Sequence, residues 1–333
     1  VSARPEDDAG CWFGAAWYLT RNPDIARAGL DPWAHYLAYG EPEGRKPSPW
    51  FDPAWYRGAH GLAPGESPLR HFLAHRATGA FPPDPALFAA AHLPEGRAAI
   101  ARGQDPYAAY LDAHATPEHE LLPDLVVLAP SGLIDALYHE RNRTPPVETV
   151  LDPALHYCRI GWRQDRLPSD AFDPGWYRRA YPEIARLRIN PLTHYALVGD
   201  AAGRRPVPWF DPGWYRAAHD VPADMTALAH YLRHRRSGLV SPNALFDAGW
   251  YRARHAIAEG VDPFAHYLHH GAVRDIDPSP RFDARLWRHR HMAPLTAPGL
   301  HDLPIERRNP LLHHLRYMAG LTLGARQSGP GPA

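Results

Sequence analysis

A short aromatic string recurs along the chain and limits what it can fold into. It reads FDPGWY at Phe172 to Tyr177 and at Phe210 to Tyr215, FDPAWY at Phe51 to Tyr56, and FDAGWY at Phe246 to Tyr251. Weaker copies are FDARLW at Phe282 to Trp287 and FGAAWY at Phe13 to Tyr18, with degenerate ones at Phe88 to Leu93 and Ile134 to His139. The copies begin at 13, 51, 88, 134, 172, 210, 246 and 282, so the steps are 38, 37, 46, 38, 38, 36 and 36 residues. A second string follows each first one: DPWAHYLAYG from Asp31, SPLRHFLAH from Ser67, DPYAAYL from Asp105, DPALHYCRIG from Asp152, NPLTHYALVG from Asn190, ALAHYLRHR from Ala227, DPFAHYLHHG from Asp262 and NPLLHHL from Asn309. Eight in-register units of about 37 residues define a repeat protein, in which no unit can bury its apolar face alone.

Both strings read as helix starts. Asp52, Asp173, Asp211 and Asp247 suit the N-cap, Pro suits the first helical position, and Phe and Tyr occupy the two positions of a hydrophobic staple. In the second string Asn190 caps, Pro191 opens, and Leu192, Tyr195 and Ala196 share one face. Gly199 is expected to stop the helix in a left-handed conformation. A brief helical turn is expected between the strings, as at Asn22 to Gly29 and Pro182 to Arg186, and extended Pro-rich turns between units. The fold class is therefore all-α: about eight helix-turn-helix repeats stacked as a solenoid or a compact repeat bundle. The expected organisation is an N-terminal tail over 1–12, repeats one to three over 13–112, an insertion over 113–132, repeats four to eight over 133–320, and a disordered tail over 321–333. A second insertion lies between Trp287 and Asn309. Leu125 to Leu128 (LVVL) is the one segment that reads as a short strand.

Composition fits this reading. The 38 Pro are mostly helix starts and linker joints, and the 22 His and 11 Trp partly reflect a single motif counted many times. The formal net charge of zero argues against a nucleic-acid partner, which would call for a basic footprint. Two cysteines, Cys11 and Cys158, cannot build a disulfide framework or a Cys-based zinc site. No apolar run is long enough to span a membrane, and VSARPEDDAG has no leader pattern, so a cytoplasmic or membrane-peripheral location is expected.

Two rows of side chains are candidates for function. His35, His71, His156, His194, His230, His266 and His313 occupy one position of the second string. The leading expectation is structural, with each imidazole bonded to a backbone carbonyl or to a cap carboxylate of a neighbouring unit. The alternative is an exposed row that senses pH or binds an anionic ligand. His71/His75, His230/His234 and His266/His270 have metal-ligand spacing, but other units lack the second histidine and no third ligand is implied, so no metal is expected. The Trp row (Trp17, Trp55, Trp176, Trp214, Trp250) reads first as core and second as a glycan-stacking surface. The Arg that follows (Arg57, Arg178, Arg216, Arg252) reads as a solvated or ion-paired face. As ligand-binding candidates the sequence offers His35, His156, His194, His230, His266, Trp176, Trp214 and Trp250. No phosphate loop, nucleophile elbow or thiol–imidazole dyad is present, so no catalytic residue or cofactor is assigned. Asp275-Ile-Asp277 is the one DxD-like string, in a linker where a solvated turn is the first reading.

These strings, with NPDIARAG at Asn22 to Gly29 and EGRKPSP at Glu43 to Pro49, resemble a bacterial repeat module. That module is associated with large envelope-related proteins, often appended to glycosyltransferases or other polysaccharide-modifying enzymes. Residues 13–112 and 133–320 carry the resemblance, and units three and four depart from it by losing the Trp-Tyr pair. The resemblance implies a non-catalytic interaction or scaffold protein linked to cell-surface polysaccharide assembly, with a protein partner or polysaccharide-assembly enzyme. A glycan-binding module and a glycosyltransferase-family protein are the alternatives.

Overall fold

A computed structural model describes residues 9–115, 122–136, 138, 152–271, 274–294 and 305–327. The described residues are helical, with only isolated bridges in place of strands. They form two compact bodies, one of residues up to 127 with 182–193, the other of residues 128–181 with 194 onward.

Each first helix begins where its cap dictates. The Oδ1 atoms of Asp52, Asp173, Asp211 and Asp247 accept from the N–H three residues on, at 2.9, 2.8, 3.0 and 2.9 Å. Such a cap contributes about 1 kcal/mol. The Phe before the cap packs on the Tyr after it, with ring centroids 5.2, 5.4, 5.2 and 5.3 Å apart in the same four units. The cap residue's own N–H reaches forward to a linker proline before the next unit: Gly14 to Pro47, Asp135 to Pro168, Asp173 to Pro206 and Asp247 to Pro278, at 3.0, 3.0, 3.4 and 3.2 Å. That bond joins each unit to the next. The linkers end in tight turns instead of running extended: Ser48, Ser169 and Ser279 bridge to Phe51, Phe172 and Phe282.

The second helices end in two ways. In three of the four strings that close in glycine the last turn widens into a π-helix, over Tyr36–Gly40, Tyr195–Gly199 and Tyr267–Gly271, whereas Gly161 opens the 3-10 turn Gly161–Gln164. Gly199 is therefore not the left-handed stop that the sequence suggests; Gly203 takes that role, with φ 67°. Gly199 is required by proximity, because a Cβ there would overlap the Tyr177 hydroxyl, and Gly40 stands in the same relation to Tyr18. In units two and six the helices Pro68–His75 and Ala227–His234 tighten into 3-10 turns and stop at left-handed Gly79 and Gly238.

Several boundaries differ from expectation. Trp12, placed in a tail by sequence, is buried, packs edge-on against Phe72 at 4.8 Å, and donates to Asp105 at 2.7 Å. Leu125 to Leu128 belong to the helix Pro123–Leu128, not to a strand. The first helix of the third unit starts at Asp84-Pro85, and Leu87 is buried where Phe88 is half-buried. The last helix, Pro310–Gln327, continues beyond residue 320. Residues 295–304 of the second insertion and residues 139–151, from the end of the fourth first string onward, lie outside the described residues.

The two alternating endings reveal a longer period. Phe13, Tyr18, His35, Glu41, Phe51, His71 and Arg76 each have a counterpart 159 positions on, at Phe172, Tyr177, His194, Asp200, Phe210, His230 and Arg235. Units one and two thus match units five and six position for position, and the two pairs share π-turn and 3-10 endings at matching places.

Candidate functional site

The repeated histidine meets the repeated tyrosine of its own unit. Tyr18–His35, Tyr56–His71, Tyr177–His194, Tyr215–His230 and Tyr251–His266 join Oη to Nδ1 at 3.0, 2.9, 3.0, 2.8 and 3.1 Å. The partner is neither the carbonyl nor the cap carboxylate that the sequence favours. In unit eight Trp287 takes the tyrosine position, and its indole N–H donates to His313 Nδ1 at 3.3 Å. An indole nitrogen only donates, so that imidazole accepts through Nδ1 and carries its proton on Nε2. The tyrosine hydroxyl can fill the same donor role elsewhere. Burial holds the Tyr251 hydroxyl up at about 12, and burial followed by neighbouring cations pushes His71, His230 and His266 below the usual imidazole range. His156 and His194 are buried; His35, His230 and His266 are half-buried. The position that would carry a tyrosine for His156, at residue 139, lies outside the described residues.

Other repeated polar groups are also spent on assembly. Asp200 is buried, accepts from Tyr195 Oη at 2.7 Å and from the Ala227 N–H of the next unit's second helix at 2.9 Å, and pairs with Arg216. Glu41 repeats the bridge between Tyr36 and the Leu69 N–H, at 3.2 and 2.8 Å. The Arg after the tyrosine holds the loop before the second helix: Arg57 donates to Glu66 O, Arg216 to Met225 O and Arg288 to Arg308 O, at 2.8, 2.8 and 2.7 Å. Of the two expected states the ion-paired one is seen at Arg178 with Asp165 and at Arg216 with Asp200, and Arg288, which is buried, pairs with Asp275. A residue that sequence reasoning misses lies nine positions after the Phe. His60, Tyr181, His219 and His255 there pack on the tyrosine ring at 4.4, 4.8, 4.5 and 4.5 Å. His60 and His219 also bond Pro82 O and Ser241 O of the following linker, at 3.1 and 3.2 Å. The recurrence of an aromatic or imidazole ring at that register is the only signal of it in the sequence.

The tryptophans behave differently. Trp17, Trp55, Trp176, Trp214 and Trp250 are all half-buried, and of these Trp55 packs against the core of the first body. Trp55 donates its indole N–H to Leu187 O at 3.1 Å. In the second body Trp250 lines an open groove of about 730 Å³ with Arg254, His255, Arg274, Arg285, Leu286 and His289. In the first body Trp17 lines one of about 470 Å³ with Arg21, Asn22, Arg45 and Lys46, which are matching places in the repeat.

A third cavity, of about 480 Å³, collects His266, His269 and His270 around Arg235. Arg235 is buried and reaches both oxygens of Asp170 at 2.6 and 2.8 Å, Asp262 at 3.5 Å and Asp135 at 3.7 Å. One guanidinium matched by three carboxylates from units four and seven is a clamp within this body. The DxD-like string is structural too: Asp275 pairs with Arg288 at 2.6 Å, and Asp277 accepts from the Ala284 N–H at 2.8 Å.

Among the described residues no group of three or more His, Cys, Asp or Glu is arranged to hold a metal ion, and no helix is long and apolar enough to cross a membrane. The fold and site define an all-helical repeat protein with a recurring aromatic groove. Comparison with protein families, curated proteins and solved structures finds no match for the chain.

Proposed function

We propose that this is a non-catalytic helical-repeat binding protein that acts as a scaffold in cell-surface polysaccharide assembly. One observation carries the binding reading. The repeated Tyr, His, cap Asp and Arg side chains are used to tie the units together, whereas the repeated Trp stays half-buried in five units. A half-exposed aromatic at one place in every full unit is a surface that a partner can read, because aromatic and Arg side chains supply most binding energy at interfaces. The link to polysaccharide assembly rests on the resemblance of the strings.

The test is affinity capture from the native host with the full chain and with Trp176→Ala/Trp214→Ala/Trp250→Ala. The expected result is a glycosyltransferase or polysaccharide-modifying enzyme retained by the first and lost from the second. Retention of the same enzyme by both would remove the tryptophan row from the interface. Release of nucleotide from a UDP- or GDP-sugar by the purified chain would replace the scaffold reading with an enzymatic one.

A further inference from the structure

The groove between the first helices of units seven and eight has a chemistry that its structural role does not require. One wall is Ala248–Arg254, which presents Trp250 and, one turn on, Arg254. The other is Ala284–His291, which presents Arg285, Leu286 and His289. The linker adds Arg274, Asp275 and Asp277. Leu286 is exposed and stands where other units have the tryptophan. The ring contact of Trp250 is with His255, nearly perpendicular at 6.5 Å, and among the described residues no ring stacks parallel on the indole. Its indole N–H has no acceptor among the described residues.

Of the carboxylates in the groove, Asp275 is paired with Arg288, whereas Asp277 and Asp283 keep their negative charge and accept the Ala284 and Leu286 N–H groups, both at 2.8 Å. Arg254, Arg274 and Arg285 are exposed and make no hydrogen bond or ion pair among the described residues. Three guanidiniums without a partner thus face two such carboxylates in a groove that Trp250 also lines, an excess of positive charge that stacking of the units does not require.

The same register separates this groove from most of the repeat. Eight positions after the Phe, units two, five and six carry Ala59, Ala180 and Ala218, whereas units one, seven and eight carry Arg21, Arg254 and Arg290. In unit one Arg21 lies over the Trp17 ring at 5.6 Å and Arg45 is tied to Asp24 and Glu43, so that version is partly self-occupied. The version at Trp250 is left open.

We infer that the Trp250–Arg254–Arg274–Arg285 groove is a binding site for an acidic glycan, a pyranose polymer bearing carboxylates. A sugar ring offers a C–H face to the open indole, and a carboxylate matches the planar fork of arginine. An acidic peptide would satisfy the arginines but has no flat ring for Trp250. The inference rests on the reading of the protein as a binding module, and it names what one of its grooves binds directly.

The test uses the purified full chain and oligogalacturonate, with tryptophan fluorescence and calorimetry as readouts. Saturable quenching is expected, falling at least about tenfold in affinity when salt rises from roughly 50 to roughly 500 mM. Methyl-esterified oligogalacturonate, which keeps the ring and loses the charge, should bind at least about tenfold more weakly. Trp250→Ala and, separately, Arg254→Ala/Arg285→Ala should each weaken binding by about tenfold or more at an unchanged melting temperature. The arginine pair is exposed, so it remains informative if the tryptophan variant fails to fold. No binding, binding indifferent to the arginine pair, or equal binding of the esterified polymer would overturn the inference. Equal binding of polyglutamate would also overturn it and reassign the groove to acidic peptides. The assay contains no host protein, so its failure leaves the enzyme-capture result standing, and failure of that capture leaves this site standing.

Discussion

Replacing Gly199 by Ala tests the tyrosine–histidine bond and the π-turn together. The new Cβ would overlap the Tyr177 hydroxyl and lie 3.4 Å from Tyr195 Cδ2. The Tyr177 ring cannot retreat, because Phe172, Tyr181 and Tyr195 enclose it with centroids 5.4, 4.8 and 6.2 Å away. Overpacking of this kind costs about 1–3 kcal/mol. Displacing the hydroxyl also breaks its 3.0 Å bond to buried His194, a further loss of about 1–3 kcal/mol. Ala in place of Gly in a helical turn returns up to about 1 kcal/mol. The net expectation is a destabilisation of about 2–4 kcal/mol, read as a shift in the urea midpoint at constant slope. Tyr177→Phe supplies the control. Alone it removes the bond to His194 Nδ1 and costs about 1–3 kcal/mol, but it also removes the atom that the new methyl would strike. In that background Gly199→Ala should cost nearly nothing. Equal effects of Gly199→Ala in both backgrounds would refute the claim that the tyrosine hydroxyl is what demands glycine here.

Three further outcomes are expected of the same network. Burial, with nearby cations, holds His71, His230, His266 and His313 below the ordinary imidazole range, so the unfolded chain takes up more protons than the folded one as pH falls through 6.5. Stability should therefore be fully present above that pH and decline below it, and a flat melting temperature from about pH 7.5 to about pH 5 would contradict this. Asp200→Ala removes the acceptor shared by Tyr195, Ala227 and Arg216 and should cost about 3–5 kcal/mol in chemical denaturation. Trp287→Phe leaves His313 Nδ1 without its donor and should cost about 1–2 kcal/mol; an unaltered midpoint would mean that unit eight does not use the bond.

Helices and their starts are legible in the sequence because their causes are local. A cap, a following proline and a staple lie within six residues, so the helix start at Phe172 to Tyr177 can be assigned from spacing alone, and the structure agrees. Gly199 resists such assignment because two different demands select glycine, a left-handed φ and a close approach, and only the neighbouring helix reveals which applies. The histidine's partner lies 15 to 17 residues back on another helix, beyond the reach of helical periodicity. The tryptophan misleads for the converse reason. Its position beside the buried tyrosine suggests core, yet adjacent helical residues diverge by about 100°, so one faces in and the other slants toward solvent.

Differences among the units carry the remaining information. In units two, five, six and seven the cap, the tyrosine and the arginine six after the Phe stay the same, and they are positions with internal hydrogen bonds, as Asp211, Tyr215 and Arg216 show. Positions that vary lie around the tryptophan: eight residues after the Phe, where Ala and Arg alternate, and the linker, where Lys46 and Arg205 pair with the next cap at 3.0 and 2.6 Å but Asp277 stands in their place before unit eight. A repeat that served only to stack would have no reason to vary these and preserve the half-buried indole beside them. The units share one scaffold, and the side chains in which they differ, Arg254 against Ala218 or Ala180, sit on the groove walls and not in the joints. Architecture and recognition are thus carried by different positions of one short string, and the second set can change without disturbing the first.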